Sequence, residues 1–117
     1  MRAVLEERLP GTDLGESPQE NKVARWLLEA GLPRPVHQHR VRIGTRTIRL
    51  DLAWPPQKVD VEYDGWESHR PRSVFESDRE RDNALRLAHW TVLRFTSRST
   101  RAYVIDSVRQ ALKNASM

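Results

Sequence analysis

Residues 58–64, KVDVEYD, alternate strictly between apolar or aromatic side chains and carboxylates. Successive side chains of a strand point to opposite faces, so Val59, Val61 and Tyr63 are expected to line a core while Asp60, Glu62 and Asp64 share the other side. Three like charges two residues apart on one face repel one another and cost stability unless a cation is held there. The segment that follows, SVFESDRERDNALRLAH over 73–89, has helical spacing with Phe75, Leu85 and Ala88 on an apolar stripe and Asp78, Arg79 and Asp82 exposed. WTVLRFT then reads as a further strand. A strand, a helix and a strand in close succession make a crossover between parallel neighbours, which excludes a purely antiparallel sheet.

The chain before this unit supplies the remaining elements. Ser17-Pro18-Gln19-Glu20 is a capping-box opening with proline at the first helical position. Val23, Trp26, Leu27 and Ala30 follow at helical spacing, and Gly31 ahead of Pro33 stops the helix. VHQHRVRI and RTIRLDLAW, separated by Gly44-Thr45, read as a hairpin, and Pro55-Pro56 closes its second strand. Within that strand Leu50 and Leu52 are expected to face the core together, which points Asp51 the other way with Arg49. Ser99 or Thr100 caps a last helix with Tyr103, Val104, Val108, Ala111 and Leu112 as its apolar face. The expected fold is α/β, a mixed four-stranded sheet flanked by helices. Residues 1–16 form an arm or linker, and 17–117 form one domain; a longer polypeptide and a homodimer both remain open.

Charge and composition narrow the function. The chain has 117 residues, no cysteine and a net charge of +4. Thiolate chemistry and Cys-based zinc sites are therefore excluded, and any metal must take oxygen or imidazole ligands. No apolar run approaches the roughly 18 residues of a membrane span, and the N-terminus lacks the apolar region of a signal peptide, so a cytoplasmic location without membrane contact is expected. From Gly31 to Leu50 there is no acid, while Arg34, Arg40, Arg42, Arg46 and Arg49 fall in that stretch with His37 and His39. Arginine's planar fork suits phosphate oxygens, which makes DNA a candidate partner. Solvated arginines without a ligand are the plainer reading.

If the strands pair as read, Asp51 and Glu62 lie on neighbouring strands on one face. Two carboxylates within joint reach suit a hard divalent ion such as Mg²⁺, which binds through one or two carboxylates while keeping waters and substrate phosphate oxygens. Asp51, then Glu62 after a short spacer, in an αβββαβ order with Glu20 on the first helix, resembles the PD-(D/E)XK nuclease superfamily, in particular its very-short-patch-repair-like endonuclease branch. The segments that carry the resemblance are SPQENKVARWLLEAGLPRPVHQ, RLDLAWPPQKVDVEYDGWESHR, FESDRERDNAL and HWTVLRFT. They cover about residues 17–112.

The resemblance implies a restriction-endonuclease-like core and a Mg²⁺- or Mn²⁺-dependent DNA endonuclease. Asp51 and Glu62 would be metal ligands, the Tyr63 carbonyl a third, and Glu20 would hold a metal-bound water. The family pattern places lysine two residues after Glu62, where this chain has Asp64. An aspartate cannot steady developing negative charge, but it can be a further metal ligand. His69 falls where the related branch has a proton-transfer histidine. Arg40, Arg42, Arg46, Arg70, Arg72, Arg79 and Arg81 are the candidate DNA contacts, and Trp66 a candidate base-stacking residue. Plainer alternatives stand beside these: Glu20 as capping carboxylate, His37 and His39 as surface residues or phosphate contacts rather than metal ligands, and the Asp78–Asp82 run as a solvated helix face. Two alternatives to catalysis follow, a DNA-binding nuclease fold without turnover and a protein-interaction module in which Arg79 or Arg81 neutralises the carboxylates.

Overall fold

The structure, a computed structural model, describes residues 18–64 and 72–115, with the side chains of Asp64 and of residues 72–77 outside the description. The N-terminal arm, Ser17, Gly65, Trp66, His69 and Arg70 lie outside the described residues. The elements are α1 (Pro18–Glu29), β1 (Val36–Ile43), β2 (Arg46–Trp54), β3 (Val59–Asp64), α2 (Arg72–Leu87), β4 (Thr91–Thr96) and α3 (Arg101–Ala115). The strands lie in the order β1-β2-β3-β4 in one sheet. The first two pairings are antiparallel, and α2 carries the chain from β3 to its parallel neighbour β4. The expected mixed α/β sheet is thus observed. Among the described residues no helix is long and apolar enough to cross a membrane.

The ends of α1 and α2 share one geometry. After α1, Gly31 takes φ 86°, its N–H donates to Leu28 O and the N–H of Leu32 donates to Leu27 O. After α2, His89 takes φ 72°, its N–H donates to Arg86 O and that of Trp90 to Leu85 O. Each is a Schellman ending with the left-handed residue just past the helix. Glycine meets this conformation without steric cost, and histidine does not.

Two apolar cores sit on opposite faces of the sheet. In the larger, Val23, Ala24 and Leu27 of α1 and Val104, Val108 and Leu112 of α3 pack on Leu52, Trp54, Val59, Val61 and Phe95. In the smaller, Leu85 of α2 and Trp90 pack on Ile48, Leu50 and Ala53, with Val41 and Ile43 at the margin. Leu50 and Leu52 are both buried, but in different cores, so the expectation that they share a face fails. Strict alternation is broken at Asp51, and β1 breaks at the same level. His37 pairs with Leu52 and His39 with Leu50 in one continuous register, while the intervening Gln38 and Asp51 are not paired. Gln38 has φ 53°, a left-handed conformation that strains a non-glycine residue by roughly 1–2 kcal/mol. His37 reaches α1 while His39 stacks obliquely on Trp90, ring centroids 6.3 Å apart. Both strands of the hairpin therefore exchange faces together, one half closing on α1 and the other on α2.

Candidate carboxylate site

The site forms where the hairpin changes faces. Glu20 is buried in the first turn of α1, and its carboxylate accepts from His37 Nδ1 at 3.0 Å and from Gln38 Nε2 at 2.8 Å. Gln38, whose backbone is left-handed, meets the helix through its side-chain amide. Sequence reasoning assigns Glu20 to a cap or a water ligand and His37 to the surface or a phosphate contact; the structure places the half-buried His37 ring against the Glu20 carboxylate, while Ser17 of the cap lies outside the described residues. The polar pair His37-Gln38 inside an otherwise strand-like run is the available signal.

Asp51 and Glu62 sit on adjacent strands, next to the paired Leu52 and Val61, and Glu62 is near enough for its charge to act on Asp51. An Asp51 oxygen accepts from the Tyr63 N–H at 3.3 Å. Partial burial first, then the charge of Glu62 and more weakly that of Glu20, push the Asp51 carboxyl up to about 7, against an opposing effect of the Tyr63 N–H. A carboxylate in this position is short of positive charge.

Asp60 departs from expectation. It has no exposed surface, and neither carboxyl oxygen finds a hydrogen-bond partner among the described residues. Burial, then the neighbouring Glu62 carboxyl, push it up to about 10, so it is a neutral acid at pH 7. The like-charge repulsion predicted along β3 is thus relieved in part by protonation.

The rest is relieved by Arg81. Its Nη2 donates to Glu62 Oε2 at 2.9 Å and to the Arg49 carbonyl at 2.7 Å, and Nη1 reaches Asp82 at 3.4 Å. Burial opposes the guanidinium charge, but the charge of Glu62 and its hydrogen bond outweigh it and hold the group charged. Arg81 therefore ties α2 to both β2 and β3. Asp82, expected on the solvated helix face, is buried and paired two-fold with Arg94 of β4 through Nε and Nη2, both at 3.0 Å. Arg79 is exposed on α2.

Among the described residues no group of three or more His, Asp or Glu side chains is arranged to hold a metal ion. The donor set that does converge, Asp51 with Glu62 and with Glu20 near enough to act on Asp51, is all carboxylate. It fits a hard cation that needs one or two carboxylates and completes its shell with water and phosphate oxygens. The expected contributions of Asp64, His69 and Arg70 and of the Arg72 side chain lie outside the described residues. Of the hairpin arginines, Arg40 and Arg42 are exposed on one face of β1, whereas Arg46 pairs with Ile43 at the tip, on the face that turns toward α2.

No protein-family profile matches the chain, and no solved structure matches it. Two proteins of Mycobacterium tuberculosis, named "Uncharacterized protein MT2308" and "Uncharacterized protein Rv2248", are each 29% identical to it over 106 residues. The match takes in 89% of this chain and 36% of each relative, so the chain spans about a third of the length of the curated relatives it matches.

Proposed function

We propose that this domain is a metal-dependent DNA endonuclease that hydrolyses phosphodiester bonds, with Asp51 and Glu62 as the residues that would hold Mg²⁺ or Mn²⁺. The observation that carries the reading is the closeness of these two carboxyls at the sheet, where burial first and then the charge of Glu62 push Asp51 up to about 7. When bound, a divalent ion there would supply a water of lowered pKa and neutralise charge growing on the phosphate. The chain's own residues do the rest. The Tyr63 N–H fixes the orientation of the Asp51 carboxyl. Glu20, itself held by His37 and Gln38, presents a carboxylate from the helix side as an acceptor for water. Arg81 is the cation that reaches Glu62, a position in which the lysine missing at Asp64 would otherwise be wanted. Asp64 remains a candidate further ligand and His69 a candidate proton carrier.

A second reading has its own support. The 2.9 Å contact between Arg81 and Glu62 neutralises the carboxylate from within the chain, as a domain without turnover would need, one that binds DNA or another protein. Nicking of supercoiled plasmid DNA separates the two. Hydrolysis that requires Mg²⁺ and falls at least about 100-fold in Asp51→Ala is the expected result. Absence of nicking with either ion, or nicking unchanged by Asp51→Ala, would leave the second reading standing.

A further inference from the structure

The part of the hairpin between Gln38 and Asp51 contains no acid and has an outer face that hydrolysis alone does not explain. Beyond the break at Gln38 and Asp51, the side chains of His39, Val41, Ile43, Ile48 and Leu50 turn toward α2 and Trp90. The alternate positions, Arg40, Arg42, Thr47 and Arg49, are exposed. Arg40 pairs directly with Arg49, and Arg42 with Thr47. Like charges directly opposite one another in antiparallel strands repel, and neither β1 nor β2 ahead of Asp51 contains an acidic residue. A polyanion laid along β1 would meet the exposed Arg40 and Arg42. Arg49 and Asp51 are two residues apart on one strand, a rise of roughly 7 Å, so the basic face ends at the break that carries Asp51.

We infer that this face, led by Arg40 and Arg42, is the docking surface for the phosphate backbone of duplex DNA and leads that backbone to Asp51; the choice of DNA as the polyanion rests on the function proposed above. Three features favour a duplex over a single strand or an acidic protein. Arg40 and Arg42 follow one another along β1 at a rise of roughly 7 Å, in a row along the strand rather than in a cluster. A two-stranded ribbon is of a size to follow a duplex groove. The face carries no aromatic residue, whereas proteins that hold single strands without sequence preference stack bases on aromatic rings. Contacts of this kind position a backbone and read no sequence.

The test is binding without turnover. A fluorescent DNA duplex of about 20 base pairs, roughly two helical turns, is titrated with the protein in EDTA across a range of NaCl concentrations, followed by anisotropy. Each neutralised phosphate contributes roughly 0.9 to the slope of log K against log salt, so R40Q/R42Q should flatten it by roughly 1.8. Arg101→Gln/Arg109→Gln, on exposed positions of α3, should leave it unchanged. Thermal melting of both variants checks that each is folded. Equal flattening by the two variants, no effect of R40Q/R42Q, or tighter binding of a single strand, an RNA duplex or an acidic polypeptide would each overturn the assignment. Plasmid nicking by R40Q/R42Q at an unchanged KM would also remove the ribbon while sparing the hydrolytic reading. Slope loss without any nicking would do the reverse.

Discussion

Asparagine at position 51 should stabilise the fold, and increasingly so as the pH rises. In the unfolded chain the Asp51 carboxyl ionises near 3.8, and in the folded chain at about 7. Between these values the folded state binds more protons than the unfolded state, so stability falls as pH rises, and the loss is complete above the folded value. A shift of this size corresponds to an upper bound of about 4 kcal/mol, and the solvent that reaches the group reduces that to about 2. Asp51→Asn removes the titration while its amide oxygen can still accept from the Tyr63 N–H. Asp60 titrates in the same sense; Asp51 is only the last of the causes that raise it, and burial and Glu62 act in both proteins, so most of its contribution cancels in the difference. Urea denaturation in EDTA at pH 5 and pH 8 measures the outcome: the advantage of the variant should widen by about 1–2 kcal/mol between the two. An advantage that is constant with pH, or that narrows, would refute the argument that Asp51 is held short of positive charge.

Removing the cation should do the opposite. Arg81→Gln leaves Glu62 buried without its partner and should cost about 3 kcal/mol in urea melts, with more than half recovered in Glu62→Gln/Arg81→Gln; a single-variant cost under about 1 kcal/mol would show that the pair is solvated. Saturating MgCl₂ should raise the melting temperature of the wild-type protein and leave Asp51→Asn unmoved, since binding to the folded state alone stabilises it; equal shifts would place the ion elsewhere. His89→Gly should stabilise by about 0.5–1 kcal/mol, because φ 72° at the end of α2 suits glycine. A loss of stability there would mean that the His89 side chain contributes a contact worth more than the strain.

The order of elements is legible because each is punctuated locally. Ser17-Pro18, Gly31, Gly44-Thr45 and Pro55-Pro56 mark starts, stops and turns with residues whose backbone preferences are strong. Asp51 and Glu62 can be paired because two adjacent antiparallel strands fix which residues meet. What alternation cannot supply is the point where alternation itself stops. Gln38 carries no glycine-like signal for its left-handed backbone, and the even spacing of Ile48, Leu50 and Leu52 in β2, each two apart, masks the exchange of faces. The uninterrupted apolar run Leu52-Ala53-Trp54 is the one hint that this strand is covered on both sides. Asp60 and Asp82 defeat the same reasoning for a related cause. Their burial depends on α2 lying against the sheet, a tertiary contact that composition in either segment does not announce. The endings of α1 and α2 make the same point, since the geometry is shared and only Gly31 advertises it.

The exchange of cores along β2 also governs how the molecule can come apart. Leu50 answers to α2 and Leu52 to α1 and α3, so loosening of α2 can free the hairpin's far half while the larger core stays closed. Two amides only two residues apart then belong to different cooperative units. In hydrogen–deuterium exchange the tip of the hairpin and α2 should lose protection as one body, with the boundary falling at Asp51.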